Sequence, residues 1–223
     1  MATKPIHLYS HATGPNPWKV VILLEELAIP YETEFVDFSV IKKDPYISVN
    51  PNGRVPAIKD PNTDITLWES GAIIDYLLDT YDFQNQFRYT ESPQKYEQKC
   101  WADFQMSGQG PYFGQKAWFT YFHSDTNITS AKERYGNEIK RVLGVINSHL
   151  EKTGNPYLVG DKICYADLMF VPWNALVEGF LLGQEGFDWK AEFPKSYEWH
   201  QNLVARPNVK KMLELKAKAS EKK

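Results

Sequence analysis

Cysteine is scarce in this chain. Cys100 and Cys164 are the only two in 223 residues, with no C-x-x-C and no Cys/His cluster. That excludes a disulfide framework, a structural zinc site and a dithiol redox centre, and it fits a reducing compartment. Charge of one sign is also missing. With 25 basic and 28 acidic residues the formal charge is −3, so no overall positive field exists to hold nucleic acid or an anionic membrane. The apolar stretch Val20–Leu24 is far short of the ~18 residues of a membrane span. No apolar segment follows Met1-Ala2-Thr3-Lys4-Pro5, and the expected location is cytoplasmic. The histidines, His7, His11, His123, His149 and His200, show no H-E-x-x-H spacing, and neither G-x-G-x-x-G nor G-x-x-x-x-G-K-[ST] occurs. Metal hydrolase and nucleotide-loop chemistry fall away, no metal is expected, and small molecules or proteins are the favoured partners.

What is present is the balance of a folded globular protein: 43% hydrophobic and 24% charged residues. The length allows one large domain or two small ones. Aromatics reach 14%, with seven Trp. That density suits core filling or an apolar ligand pocket, and composition does not separate the two.

The first eighty residues mix two periods. A strand at Ile6–Tyr9 precedes a helical pattern at Val20, Val21, Leu23, Leu24 and Leu27. After the Pro30 breaker comes a strand at Tyr31–Phe38, then two short runs, Val55–Lys59 and Ile65–Trp68, joined by the turn Asp60-Pro61-Asn62-Thr63-Asp64 as an antiparallel hairpin. Ile73, Ile74, Leu77, Leu78 and Tyr81 then share a helical face. The order is β-α-β followed by β-β-α, assigned to a domain over 1–82. Residues 83–92 read as a linker, and 93–223 as an all-helical domain. In it Pro93–Phe122 is one long helix kinked or broken at Gly108-Gln109-Gly110-Pro111. Lys132–Lys152 is amphipathic and stops at Gly154-Asn155-Pro156. Asp167–Leu182 is apolar and central, Tyr197–Leu215 closes the fold, and Lys216–Lys223 reads as a solvated tail.

Three short segments carry candidate chemistry. Asn16, before Pro17, occupies an N-cap position with Pro17 first in the helix. It is either a cap alone or a cap whose amide NH2 also serves an anion or thiolate at the positive helix end, with the Thr13 hydroxyl on the same turn. In Asn50-Pro51-Asn52-Gly53-Arg54-Val55-Pro56-Ala57-Ile58, Pro56 cannot donate to a ladder. The segment is either a plain turn, or a cis-proline turn that presents the Val55 N–H and C=O to an extended peptide-like ligand. Glu69-Ser70 open the next helix, as first-turn residues or as partners of an amine and a carboxylate.

These segments together resemble the cytosolic glutathione transferases over nearly the whole chain. The resemblance is carried by Leu8-Tyr9-Ser10-His11-Ala12-Thr13-Gly14-Pro15-Asn16, by Asn50 to Ala57, by Trp68-Glu69-Ser70-Gly71-Ala72-Ile73, by Leu158-Val159-Gly160-Asp161 running into Tyr165-Ala166-Asp167, and by Ala205-Arg206-Pro207. Gly14-Pro15-Asn16-Pro17-Trp18-Lys19 and Ser107 to Phe113 are similar to the fungal class related to the yeast nitrogen-catabolite regulator that can form a prion. The resemblance implies an α+β, thioredoxin-like N-terminal domain, an all-α C-terminal domain, a homodimer and glutathione as co-substrate. By position, Val55 before a cis Pro56 pairs with the glutathione cysteine, Glu69 and Ser70 take the γ-glutamyl amine and carboxylate, and Arg54 with Lys42 or Lys43 lies near the glycine end. Asn16 and Thr13 stand where other classes place a catalytic cysteine or serine, whereas Tyr9 reads as structural. Tyr112, Phe113, Trp118, Phe119 and Phe122 are candidates for the electrophile pocket or for core. Cys164 replaces the Ser or Thr of the family's capping box, which implies a helix start weaker by ~1 kcal/mol.

A free cysteinyl thiol has a pKa near ~8.5, and the thiolate is the nucleophile. Lowering that pKa by about 2 takes about 2.7 kcal/mol, within reach of one amide or hydroxyl donor aided by a helix N-terminus. The implied activity is attack by bound glutathione on an electrophile in detoxification. A glutathione-dependent peroxidase or disulfide reductase, and a glutathione-binding regulator with little catalysis, remain as alternatives.

Overall fold

The computed structural model describes residues 3–125 and 127–221. The contacts of the chain group into two units, one holding residues up to Phe87 and from Ala205 on, the other Arg88–Val204.

In the first unit, β1 (Ile6–Ser10), α1 (Pro15–Glu26) and β2 (Tyr31–Phe35) form a β-α-β crossover, and β3 (Ala57–Asp60), β4 (Ile65–Trp68) and α2 (Ser70–Tyr81) come after it. The sheet order is β2-β1-β3-β4, with β1 parallel to β2 and antiparallel to β3, and β3 antiparallel to β4. The crossover needs a helix because parallel neighbours cannot be joined by a tight turn. β2 is shorter than expected: the Asp37 carboxylate accepts the Ser39 N–H at 2.8 Å and turns the chain away. Its sequence, Tyr-Glu-Thr-Glu-Phe, is mostly exposed, and its charges guard this edge against pairing with another chain. Ile6, Leu8, Ile58, Val20, Leu24, Ile73 and Leu77, each at most 1% exposed, supply the core. The hairpin turn is tied down by Asp60, whose carboxylate accepts the Asn62 N–H at 2.8 Å and the hydroxyls of Tyr76 at 2.7 Å and Tyr81 at 2.5 Å.

The last helix, α9 (Pro207–Glu221), packs on α1. Glu26 accepts from Arg206 Nε at 2.7 Å and Asn208 Nδ2 at 3.0 Å, and Glu25 accepts from Lys211 Nζ at 2.6 Å. Residues 205–221 group with the first unit and not with 93–204, because their partners lie on α1. Nor do residues 216–221 of the lysine-rich end form a solvated tail: α9 continues to Glu221, and burial lowers the Lys216 ammonium pKa, while Lys222 and Lys223 lie outside the described residues. The stretch 83–92 is held on both sides. Asp82 accepts the N–H groups of Gln86 and Phe87 at 2.7 and 3.0 Å, and Tyr89 exchanges two hydrogen bonds with the Gln98 amide.

The second unit is helical: α3 (Gln94–Phe104), α4 (Gly110–Ala117), α5 (Thr129–Thr153), α6 (Tyr165–Asn174), the single turn α7 (Trp189–Glu192) and α8 (Pro194–Val204). The expected kink between α3 and α4 is a π-helical turn over Gln105–Gln109, so the helix bends without breaking. Pro111 falls in the first turn of α4, where its missing N–H costs little. The buried amides of Gln105, Gln109 and Asn174 form a chain, 2.8 and 2.7 Å long per step. α5 ends on Gly154 in the left-handed region, as its sequence implies. α6 is buried throughout. At its start Asp167 accepts the Cys164 N–H at 3.0 Å, the Leu158 N–H at 2.9 Å and the Trp199 indole at 2.9 Å, so the cysteine cap is supplemented by contacts to a loop and to α8. No described helix is long and apolar enough to cross a membrane.

Candidate functional site

The candidate residues of the first unit lie at the start of α1, in the turn before β3 and at the start of α2. α1 begins at Pro15, with Gly14 as its N-cap. Asn16 is therefore one residue inside the helix and does not fill the cap position expected of it, because Pro15 already has the fixed φ of a first helical residue. Pro15 and Pro17 carry no N–H, and the Gly14 N–H donates to His11 Nδ1 at 3.3 Å. The helix end thus offers fewer backbone donors than an ordinary first turn, and Asn16 contributes its own N–H and amide there, half-buried. Lys19 follows about one turn further along the helix.

His11 is a site residue that sequence reasoning did not single out. It is 3% exposed, and its Nδ1 accepts the Thr13 N–H at 3.3 Å and meets the Thr13 hydroxyl at 3.2 Å. Its ring stacks on Phe38 with centroids 3.7 Å apart. The partners are backbone groups two and three residues away, and no motif records such a contact.

The turn before β3 is built from side-chain-to-backbone hydrogen bonds. Asn50 Oδ1 accepts the Asn52 N–H at 2.9 Å, and the Arg54 carbonyl accepts from Asn50 Nδ2 at 2.6 Å and the Tyr46 hydroxyl at 2.5 Å. Gly53 has φ +59°, and a Cβ there would stand 3.1 Å from Lys42 Cγ and 3.2 Å from the Ile41 carbonyl oxygen. The Lys42 stem therefore lies against this turn; both Lys42 and Lys43 are exposed, as is Arg54. The Val55–Pro56 peptide is cis. The β1–β3 ladder ends at the Tyr9–Ala57 pair, so the N–H and C=O of Val55 lie outside it. Tyr9, 8% exposed and packed edge-on to Tyr46, belongs to the small core beneath the turn, in keeping with its structural reading.

Glu69, exposed and with φ +71°, precedes α2, and Ser70 is its buried first residue. Asn52 Nδ2 donates to Glu69 Oε1 at 3.2 Å, which joins the turn to the helix start. From α1, Lys19 Nζ donates to Ser70 Oγ at 3.4 Å. Lys19 is 2% exposed; burial lowers its pKa to about 7, opposed by attraction to Glu69. Sequence reasoning missed it, because a lysine in an amphipathic helix reads as a solvated position.

The aromatic candidates of the second unit divide. Phe113 is fully buried edge-on to Trp173, 6.2 Å between centroids, and is core, not pocket lining. Trp118 and Phe122, 51% and 63% exposed, stack at 6.1 Å on a π-helical turn over Trp118–Phe122. Phe119 stacks on Tyr135 at 5.6 Å, and Tyr112 leans on the same ring at 6.3 Å.

Comparison with known proteins gives this geometry a family. The sequence model of the glutathione S-transferase N-terminal domain matches residues 4–79, and that of the glutathione S-transferase C-terminal domain matches residues 114–216. The chain is 46% identical to the glutathione S-transferase-like protein OpS6 of Beauveria bassiana, over 96% of this chain and 97% of that protein. It is also 46% identical to glutathione S-transferase 2 of Schizosaccharomyces pombe, with the same coverage. Among solved structures, the glutathione transferase URE2P6 of Phanerochaete chrysosporium, in complex with oxidised glutathione, superposes with a TM-score of 0.91 at 48% identity, over 97% of this chain and 98% of that one.

Proposed function

Because the chain belongs to the glutathione S-transferase family, we propose that its first unit binds reduced glutathione, stabilises the thiolate beside Asn16 and directs it at an electrophile. The observation that carries this reading is the Val55–Pro56 turn, whose Val55 backbone groups lie outside the β1–β3 ladder and which is tied through Asn52 to Glu69 and the start of α2. In the proposed complex the Val55 N–H and C=O pair with the cysteinyl backbone of glutathione. Ser70 and the first turn of α2 take the γ-glutamyl carboxylate, and Glu69 takes its amine. Lys42 and Arg54 face the glycine carboxylate; Lys42 is preferred to Lys43 because its stem lies on Gly53.

Asn16 and Thr13 then stand by the sulfur. With two prolines thinning the backbone donors of this turn, thiolate stabilisation depends more on the Asn16 amide than in a helix start with a full set of N–H groups. The Thr13 hydroxyl, already engaged with His11, is a weaker second donor. The thiolate attacks an electrophilic carbon, the C–S bond forms, and the displaced electron pair leaves with the departing group or stays on the acceptor. We place this activity in a cytoplasmic homodimer acting in detoxification.

Titrating the thiolate absorbance of glutathione bound to the protein tests the assignment. A thiol pKa well below that of the free tripeptide, rising again in Asn16→Ala and little changed in Thr13→Ala, is the expected result. An unshifted pKa in wild type, or one unaltered by Asn16→Ala, rejects Asn16 as thiol partner. A second reading, reduction of peroxides or disulfides by the same thiolate, is favoured by the oxidised glutathione named with the URE2P6 structure. A panel of hydroperoxides, mixed disulfides and aryl halides assayed side by side separates the two.

A further inference from the structure

Lys19 is a buried lysine with a specific target, which its ammonium form addresses as a cation. Its side chain leaves α1 on the protein-facing side, and its Nζ reaches Ser70 Oγ at 3.4 Å. An ammonium has hydrogens and no lone pair, so in this contact the serine oxygen accepts. A hydroxyl that accepts from Lys19 turns its single hydrogen away from Lys19. Ser70 is also the first residue of α2, where the helix end favours an anion, while the adjacent Glu69 carboxylate disfavours one. A positive charge beneath Ser70 offsets Glu69 at that point.

We propose that Lys19 is a positioning residue for the α-carboxylate of the γ-glutamyl group of glutathione, holding the Ser70 hydroxyl in the orientation that donates to that carboxylate and supplying the charge that balances Glu69. This rests on Ser70 being the carboxylate partner, as proposed above. It adds that discrimination for the carboxylate is set from α1, by a residue that does not touch the ligand.

The test is calorimetric. Dissociation constants are measured for wild type and Lys19→Met with glutathione and with 4-aminobutyryl-cysteinyl-glycine, which keeps the amine and lacks the carboxylate. Lys19→Met is expected to weaken glutathione about tenfold and the analogue less than about twofold. In turnover, KM for glutathione rises while kcat at saturation is little changed. Should Lys19→Met not fold, Lys19→Gln is judged by the same comparison. Equal weakening of both ligands makes Lys19 a structural residue and overturns the proposal, as does no weakening of either. If wild type binds glutathione no better than the analogue, the Ser70 assignment itself fails. If wild type binds neither, the whole glutathione reading fails with it.

Discussion

The Nδ1 of His11 accepts the N–H of Thr13 at 3.3 Å and lies 3.2 Å from the hydroxyl of the same residue, so one imidazole nitrogen organises the loop that leads into α1. The Gly14 N–H is the third donor to it. His11→Leu keeps an apolar body against Phe38 and removes the acceptor from two backbone amides. The expected cost is about 1–3 kcal/mol, read as a lower urea midpoint, together with a fall in thiolate formation. A variant with wild-type stability would mean that water satisfies these amides equally well.

His200 gives the fold an acid limit. It is 4% exposed and stacked on Trp189, its Nδ1 has no hydrogen-bond partner among the described residues, and burial lowers its pKa to about 4. Between that value and the ordinary 6.5 the unfolded chain binds a proton that the native chain does not. This contribution is therefore complete above pH 6.5 and is lost as pH falls towards 4, by up to about 3 kcal/mol. Urea denaturation of His200→Phe alongside wild type should give a difference that moves in favour of the variant across that window. A constant difference would show that His200 does not titrate there.

Lys19 acts in the same direction over a higher range. Its native pKa of about 7 lies below the ordinary 10.5. From pH 7 to 10 the unfolded chain holds the extra proton, and wild type gains stability as pH rises, by a few kcal/mol, a gain absent from Lys19→Met. Parallel stability profiles for the two proteins would contradict the buried, deprotonating lysine.

Two glycines with similar backbone angles should respond differently to alanine. Gly53 and Gly154 have φ of +59° and +67°, but only Gly53 has neighbours, down to 3.1 Å, where the Cβ would go. Gly154→Ala is expected to cost about 1 kcal/mol and to leave glutathione affinity alone. Gly53→Ala adds the clash and shifts the turn that carries Arg54 and Val55, so its KM for glutathione rises as well. Equal kinetics in the two variants would separate this turn from binding.

The β-α-β, β-β-α order was legible because it rests on periodicity, on Pro30 and on the polar turn 60–64, all local. The cap of α1 was not, since Pro15 and Pro17 are both acceptable first residues and only the path of the preceding loop selects Pro15. Lys19 and His11 were missed for a related reason: their partners, Ser70 and loop amides, are fixed by tertiary structure and leave no spacing to read. Phe113 was ambiguous in sequence beside Trp118 and Phe122. The side of the helix that meets Trp173 decides it, and the π turn over Gln105–Gln109 shifts the helical phase of α4 relative to α3. The docking of α9 on α1 left no local signal, because Glu25 and Glu26, the partners of Lys211 and Arg206, lie some 180 residues away in the chain.

The docking of α9 on α1 makes the first unit discontinuous in sequence. During synthesis α1 leaves the ribosome long before α9, which packs on it, and Glu25 and Glu26 wait for Lys211 and Arg206 until the whole second unit has been made. The unit whose synthesis starts first is thus completed after the other, and a nonsense codon between α8 and α9 would injure the first unit while sparing the helices encoded just before it.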